Sequence, residues 1–301
     1  MRGQRMGIGL AMLALLLVAC LSSHAVRCDF NGDGRTDLAL WHPALGNWHL
    51  KLSSGTEERR QFGGAEMIPV PADYDGDGAT DVAVYYRAWG MWWIWGTATG
   101  VYGVPFGWSE TTPVPGDYDN DGTDDFGLYH QATGMWYGLL STEGFQYTQF
   151  GWSEAIPVPA DYDGDGRKDL AVWHPATGNW YLDQSSLGFA TFQFGWSEAV
   201  PIPGDFDGDG KDDVGLYHQA TGTWYAMMSM DGFQTLQFGW SEASPFAGDF
   251  NGDGTTDIGV YHPATGTWYF HVSPSGTTSS GQFGWAAAYP VGYLYQGSGT
   301  Q

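Results

Sequence analysis

Six acidic clusters at an unbroken 44-residue step, strand-forming sequence without helical periodicity, and a strand-like segment left over at the carboxyl end predict an all-β fold. The architecture they predict is a closed, six-bladed β-propeller of 44-residue, four-stranded blades, its first blade completed by the carboxyl-terminal strand. The clusters begin at Asp29, Asp73, Asp117, Asp161, Asp205 and Asp249. Trp48, Trp92, Trp136, Trp180, Trp224 and Trp268 keep the same step. So do Phe62, Phe106, Phe150, Phe194 and Phe238, and only the last copy is displaced, by one residue, to Phe283.

The unit from Ile156 to Gly195 shows how a repeat divides. "IPVPA" leads into the acidic loop, and "DLAVWH" is an apolar run rich in strand formers. "PATG" makes a turn, after which "NWYLDQS" and "FATFQFG" read as two more strands joined through Ser-Leu-Gly. Aromatic residues at 16% and 46 glycines suit short strands and tight turns. The first unit lacks a leading strand of its own. "AAAYPVGYLY", Ala286 to Tyr295, aligns with "EAIPVPADYD" after the one-residue drift and stops with Leu294 where Asp would stand. Pairing that spare strand with the first unit closes the ring and removes exposed sheet edges.

Counted from its first Asp, the fourth loop carries carboxylates at positions 1, 3, 5 and 9 (Asp161, Asp163, Asp165, Asp169) and Gly166 at position 6. Oxygens at 1, 3 and 5, a backbone carbonyl at 7 and glycine at 6 resemble the first half of an EF-hand loop. Strand-like flanks and a closing Asp at position 9 exclude the EF-hand fold itself. Oxygen-only ligands favour Ca2+ over zinc. The candidate ligands of the first three loops are Asp29, Asn31, Asp33, Arg35 and Asp37; Asp73, Asp75, Asp77, Ala79 and Asp81; and Asp117, Asp119, Asp121, Thr123 and Asp125. Those of the last three are Asp161, Asp163, Asp165, Arg167 and Asp169; Asp205, Asp207, Asp209, Lys211 and Asp213; and Asp249, Asn251, Asp253, Thr255 and Asp257. Arg35, Ala79, Thr123, Arg167, Lys211 and Thr255 would contribute only their carbonyls. One Ca2+ per blade, about six in all, is the expectation.

Charge supplies the physical reason. The candidate ligand positions of the loops hold 22 of the 34 acidic residues, three in the first and last loops and four in each of the others. So many carboxylates around single points repel one another without a cation. Six Ca2+ would bring the net charge from −23 to −11. Extracellular Ca2+ modules bind at roughly 10⁻⁴ to 10⁻³ M, so such sites fill outside the cell and stay largely empty inside it. A net charge of −23 with only 11 Lys and Arg also excludes nucleic acid as a partner.

With these residues in view, the chain resembles the FG-GAP or VCBS repeat family, whose blades also build the headpiece propeller of integrin α subunits. The resemblance covers Asp29 to Tyr295 and rests on the D-x-[DN]-x-D-G-x-x-D loop recurring beside "QFGW". It implies a Ca2+-stabilised propeller at the cell surface or outside, commonly tied to adhesion or carbohydrate contact. Integrin propellers have one blade more than the six repeats here, so an integrin-style partner face does not carry over.

Motifs for nucleophilic or metal-dependent hydrolysis are absent: the sequence has no G-x-S-x-G, H-E-x-x-H, P-loop or C-x-x-C. A catalytic acid–base pair needs two different environments, and the acidic residues outside the loops show no visible break in the repeat. The chain therefore reads as a non-enzyme. His42, His130, His174, His218 and His262 recur before a Pro or Gln at a turn, which suits a repeated structural hydrogen bond. The Trp after each turn glycine suits blade packing.

"GWSE" is the better functional candidate. It places Trp108, Ser109 and Glu110; Trp152, Ser153 and Glu154; Trp196, Ser197 and Glu198; and Trp240, Ser241 and Glu242 at one register. A tryptophan face can stack on a sugar while Ser and Glu bond its hydroxyls, and repeated weak sites gain by avidity. The alternative is that Trp and Glu lock one blade to the next. The second unit adds Trp89, Trp93 and Trp95 around Trp92. Strand alternation points Trp93 and Trp95 to one face and Trp92 to the other, making either a partner surface or a better-filled core.

Arg2 and Arg5 before an apolar run from Met6 to Val18 read as a secretory signal. Cleavage after Ala25 gives a soluble secreted chain, whereas Leu17-Val18-Ala19-Cys20 as a lipobox gives residues 1–19 as signal and a lipid-bearing Cys20. Either way Cys28 is left without a partner, and no internal disulfide is expected. Residues 26–296 then form the propeller and 297–301 a disordered tail. The expected role is a secreted or surface-anchored Ca2+-binding module in adhesion or carbohydrate recognition, with a glycan or a cell-surface or extracellular protein as partner. It would touch a membrane only through an N-terminal lipid, as a bacterial outer-membrane lipoprotein does. The alternative is a structural, protein-interaction or self-assembling scaffold; a polysaccharide-active enzyme ranks last.

Overall fold

In the computed structural model, which describes residues 16–17, 28–285, 288–291 and 295–296, six four-stranded antiparallel sheets follow one another as the blades of a propeller. Blade 4 is representative: its strands are Ile156–Pro157, Leu170–His174, Asn179–Gln184 and Gly188–Gln193, hydrogen-bonded in that order. Blades 2, 3, 5 and 6 begin at Met67, Thr111, Ala199 and Ser244 and repeat the order. In blade 1 the innermost strand is Tyr289–Pro290, paired antiparallel with Leu38–His42 through Leu40↔Pro290 and Trp41↔Tyr289. The closure expected from the spare carboxyl-terminal strand is thus present.

Burial follows from each strand's place in the stack. The second strand of a blade lies between neighbouring blades, so Ala171, Val172 and Trp173 are buried in succession rather than alternately. The third strand alternates, with Trp180 and Leu182 buried between half-buried Asn179 and Tyr181. Outer strands face solvent. The core is therefore a series of inter-blade layers: Trp173, Trp180 and Leu182 of blade 4 pack with Ala199, Val214 and Leu216 of blade 5.

Two repeated devices fix the blade geometry. Each Trp after the turn glycine donates its indole N–H to the carbonyl of the Phe in the following "FG", as Trp180 does to Phe194 at 2.8 Å and Trp92 to Phe106 at 2.8 Å. The turn glycine itself allows no side chain. Gly134 sits at φ +69°, and a Cβ there would come within 2.1 Å of the Gly151 carbonyl.

At the inner ends of the blades a second closure appears. The N–H at position 8 of each acidic loop donates to the carbonyl of the first Asp of the preceding loop. The bonds run Thr80 to Asp29, Asp124 to Asp73, Lys168 to Asp117, Asp212 to Asp161, Thr256 to Asp205 and Thr36 to Asp249, all between 2.6 and 2.8 Å. Six hydrogen bonds form a circuit that joins the last blade to the first.

One expectation is corrected. Cys28 is disulfide-bonded, and among the described residues no cysteine is free. Its side chain is buried beside the closing strand at Val291, and Cys20 is the one other cysteine of the sequence. Cys20, the expected cleavage sites and residues 297–301 lie outside the described residues. Leu16–Leu17, from the expected signal, pairs antiparallel with Tyr295–Gln296. Among the described residues no helix is long and apolar enough to cross a membrane.

Replacing Trp180 by Phe keeps most of the ring's packing but leaves the Phe194 carbonyl without its donor. The expected cost is about 1–3 kcal/mol, read as a lower urea midpoint at unchanged slope; an unchanged midpoint would remove the indole bond from the account.

Candidate functional site

Each acidic loop connects the innermost strand of its blade to the second, and backbone N–H groups shape it. In the fourth loop Asp161 accepts from the N–H groups of Gly164 at 2.7 Å, Asp165 at 3.2 Å and Gly166 at 2.8 Å, so the chain wraps around that carboxylate. Gly164 and Gly166 adopt φ +77° and +91°, which glycine takes without strain. Asp169 accepts from the N–H of Tyr162 at 2.9 Å and of Ser185 at 2.7 Å, tying the loop to the turn beyond the third strand.

Asp163 reaches that same turn. Its Oδ2 accepts from the N–H and hydroxyl of Ser186 and the N–H of Leu187, while its Oδ1 is buried with no hydrogen-bond partner. The outcome is one oxygen each from Asp161, Asp163 and Asp169 within 4.8 Å of one another. The same clustering joins Asp73, Asp75 and Asp81; Asp117, Asp119 and Asp125; and Asp205, Asp207 and Asp213. Oδ1 of Asp75, Asp119 and Asp207 is likewise buried and unpartnered.

Buried carboxylate oxygens without donors are costly unless something positive meets them. Four recurrences at one register fit a hard cation taken up by positions 1, 3 and 9. Position 5 has other engagements: Asp165 accepts from the Arg167 N–H at 2.9 Å and the Ser185 hydroxyl at 2.6 Å, and Asp77, Asp121 and Asp209 are bonded alike. At position 7 the backbone N–H, as at Arg167, Ala79, Thr123, Lys211, Arg35 and Thr255, turns to the position-5 carboxylate.

Loops 1 and 6 differ at position 3. The Asn31 amide donates to Asp33 at 3.1 Å and its oxygen accepts from the Asp33 N–H at 3.2 Å. Asn251 does the same with Asp253 at 2.8 Å in both directions. An amide that satisfies itself within the loop leaves no orphaned oxygen, so these two loops have a weaker demand for a cation than the other four.

Burial raises the carboxyl at position 9, to about 6 in Asp37 and Asp257 and to about 7 in Asp81, Asp125, Asp169 and Asp213. The N–H groups they accept hold them lower than burial alone would, and the neighbouring carboxylates add to the rise.

Sequence reading saw no break in the symmetry, yet the inner ring has one. Position 8 is Thr36, Thr80 and Thr256 on one side and Asp124, Lys168 and Asp212 on the other. Lys168 is buried, with its ammonium 3.8 Å from Asp212. Burial raises Asp124 to about 7, against the pull of the Asp73 N–H and Lys168. Comparing position 8 across repeats was the available signal.

The "GWSE" segments cross from the outer strand of one blade to the inner strand of the next. Trp108, Trp152, Trp196 and Trp240 each meet a His and a Tyr of the following blade edge to face, as Trp152 meets His174 at 5.4 Å and Tyr181 at 5.0 Å. Ser109, Glu110, Ser153, Glu154, Ser197, Glu198, Ser241 and Glu242 are exposed. His130, His174, His218 and His262 bond a turn threonine through Nδ1, His174 to Thr177 at 2.9 Å and His130 to Thr133 at 2.8 Å; His42, with Leu45 in place of the threonine, has a buried Nδ1 without a hydrogen-bond partner. In blade 2, Trp92 is buried while Trp93 and Trp95 point outward; Trp95 packs on Phe62 of blade 1, and Trp89 is 73% exposed.

The profile of the FG-GAP-like repeat matches residues 29–84 and 161–216. No curated protein matches the sequence. Among solved structures, the chain is similar to an Agrocybe aegerita lectin that recognises non-reducing terminal N-acetylglucosamine, at 14% identity over 82% of this chain and 76% of that one, TM-score 0.55. It is similar to virginiamycin B lyase from Staphylococcus aureus at 7% identity over 89% and 87%, TM-score 0.55. A third likeness, to BBS1N in complex with ARL6DN, has 15% identity over 87% and 86% and TM-score 0.50. At these identities the likeness is one of fold alone.

The raised position-9 carboxyls give the metal-free protein a definite pH dependence. The folded state holds protons that the unfolded chain releases near pH 3.8, so this contribution to stability is present at low pH and lost as pH rises through 6 to 7. Calorimetry in calcium-free buffer should give a lower Tm at pH 8 than at pH 5; a rise over that interval would contradict the assignment.

Proposed function

Because its FG-GAP-like repeats close into a six-bladed propeller, we propose that this chain is a calcium-stabilised, non-enzymatic binding module that works outside the cell and recognises carbohydrate. The observation that carries the calcium part is the buried, unpartnered Oδ1 of Asp75, Asp119, Asp163 and Asp207. Positions 1, 3 and 9 would hold the ion, which supplies charge neutralisation and ties the inner loop to the outer turn of each blade. Ca2+ at extracellular concentrations fits sites of this charge, and secretion is what the Arg-flanked apolar amino terminus supports. A disulfide at Cys28 engages the one other cysteine of the sequence, Cys20, and so disfavours a lipid there; mass spectrometry of the mature amino terminus tests where the chain is cut.

Carbohydrate is the favoured ligand on two grounds. Aromatic side chains are concentrated at the blade boundaries, where rings and hydrogen-bonding groups meet. The lectin among the fold relatives shows that propellers of this shape serve sugar recognition elsewhere. A second reading, a protein-interaction scaffold, is favoured by the exposed Phe145, Tyr147, Phe189 and Phe233 on the outer strands of blades 3 to 5 and Leu187 in the turn before one of them.

Titration of calcium into metal-free protein should resolve four stronger sites and two weaker ones, and Asp163→Asn should remove one of the four. At a hundredfold excess over Kd each filled site adds about 2.7 kcal/mol. Six equal sites, or none, would overturn the distinction drawn from Asn31 and Asn251. A glycan array probed in millimolar Ca2+ and again in chelator tests the ligand class. Calcium-dependent binding supports the module as a lectin, and a blank array from folded protein sends the assignment to the scaffold.

A further inference from the structure

Two strand positions change in size and polarity from one blade boundary to the next. One is the fourth residue of the third strand, counted in register: Leu50, Ile94, Gly138, Leu182, Ala226 and Phe270. The other is the next position of that strand, taken on the following blade: Trp95 for Leu50, Leu139 for Ile94, Asp183 for Gly138, Met227 for Leu182, His271 for Ala226 and Lys51 for Phe270; Gly138 with Asp183, and Ala226 with His271, line shared cavities. Three boundaries thus pair two large apolar residues. Two boundaries, between blades 3 and 4 and between blades 5 and 6, pair the smallest residue with a polar one.

Those two boundaries hold clefts. Between blades 3 and 4 a cavity of about 310 Å³ is lined by Trp136, Tyr137, Gly138, Gln146, Asp183 and Ser185, among others. Between blades 5 and 6 a cavity of about 440 Å³ is lined by the equivalent Trp224, Tyr225, Ala226, Gln234, His271 and Ser273. Four of the six residues are identical between the clefts, so two blade steps separate two copies of one constellation. Both volumes fall in the lower part of the range for small-molecule pockets, roughly 300–1,000 Å³.

We propose that these two inter-blade clefts, opened by Gly138 and Ala226, each bind one sugar ring. The inference rests on the carbohydrate reading above and relocates it from the four "GWSE" segments, whose tryptophans are spent on the following blade, to a pair of sites. Aromatic walls suit the apolar face of a pyranose. Gln146 and Asp183, or Gln234 and His271, supply an amide and an acceptor at the mouth for ring hydroxyls. Asp207, in the calcium cluster of loop 5, also lines the second cleft, so that site borders a metal loop. Two sites on one rigid ring favour glycans that present repeated terminal sugars.

The test fills each cleft with side chains that blade 4 already accommodates, Leu182 and Gln184. Gly138→Leu with Leu140→Gln closes the first, because a Cβ at Gly138 meets only the far end of Leu140, 2.9 Å away. Ala226→Leu with Met228→Gln closes the second. Methyl glycosides of glucose, galactose, mannose and N-acetylglucosamine are offered to the full chain in millimolar Ca2+, with saturation-transfer NMR to detect binding and calorimetry to count sites; retained Tm certifies folding. Two sites per chain, falling to one in each filled variant and to none in the combination, is the expected result. Binding that survives in the combined variant, or that Trp152→Ala abolishes instead, overturns the cleft assignment while leaving the carbohydrate reading in place. Binding of none of the four sugars, with a blank glycan array, removes both.

Discussion

Carboxylates held together within each loop are the condition on which this molecule is built. Asp161, Asp163 and Asp169 place oxygens within 4.8 Å of one another, and three further loops repeat the cluster. Backbone N–H groups meet part of that charge, yet one oxygen per cluster is left with nothing. The circuit of position-8 N–H bonds runs through the first Asp of every loop, so the same residues that repel one another also carry the closure of the ring. Neutralising the loops and holding the blades in a ring are therefore one physical problem.

Much of this was legible in the sequence because the repeat imposes one register on every blade. Trp180 and its copies mark the third strand, the Pro-rich lead marks the first, and the acidic loop must lie between the first and second. The spare Tyr289–Pro290 strand could be read as the partner of Leu38–His42 because a blade without an inner strand would leave an edge. What escaped reading was what departs from the repeat. Asp124, Lys168 and Asp212 look like ordinary polar residues until the fold sets position 8 against the first Asp of the preceding loop. Gly138 and Ala226 look like neutral changes until a neighbouring blade lies against them. The Cys28 disulfide lay beyond any argument from periodicity, since neither cysteine recurs.

Blade-to-blade contact is unusually aromatic. Trp152 leans on His174 and Tyr181, Phe150 on Phe189 and Phe194 on Phe233, so each connector grips the next sheet near its waist and its outer edge. Edge-to-face pairs give direction as well as area, which fixes the angle between sheets that share few hydrogen bonds outside the inner ring. Trp285 preserves the grip at the final boundary through His42 and His49, although the segment around it has drifted by a residue.

The closing sheet has a mechanical consequence. Chain enters blade 1 at Leu38 and leaves it beside Ala39, whose carbonyl accepts the Val291 N–H at 2.8 Å. Two adjacent antiparallel strands whose outgoing ends lie side by side are loaded in peeling when those ends are drawn apart, and peeling breaks hydrogen bonds one after another rather than together. Tension applied through one end alone bypasses that seam and is borne by the rest of the ring. A molecule tethered at a single terminus keeps that seam out of the path of force.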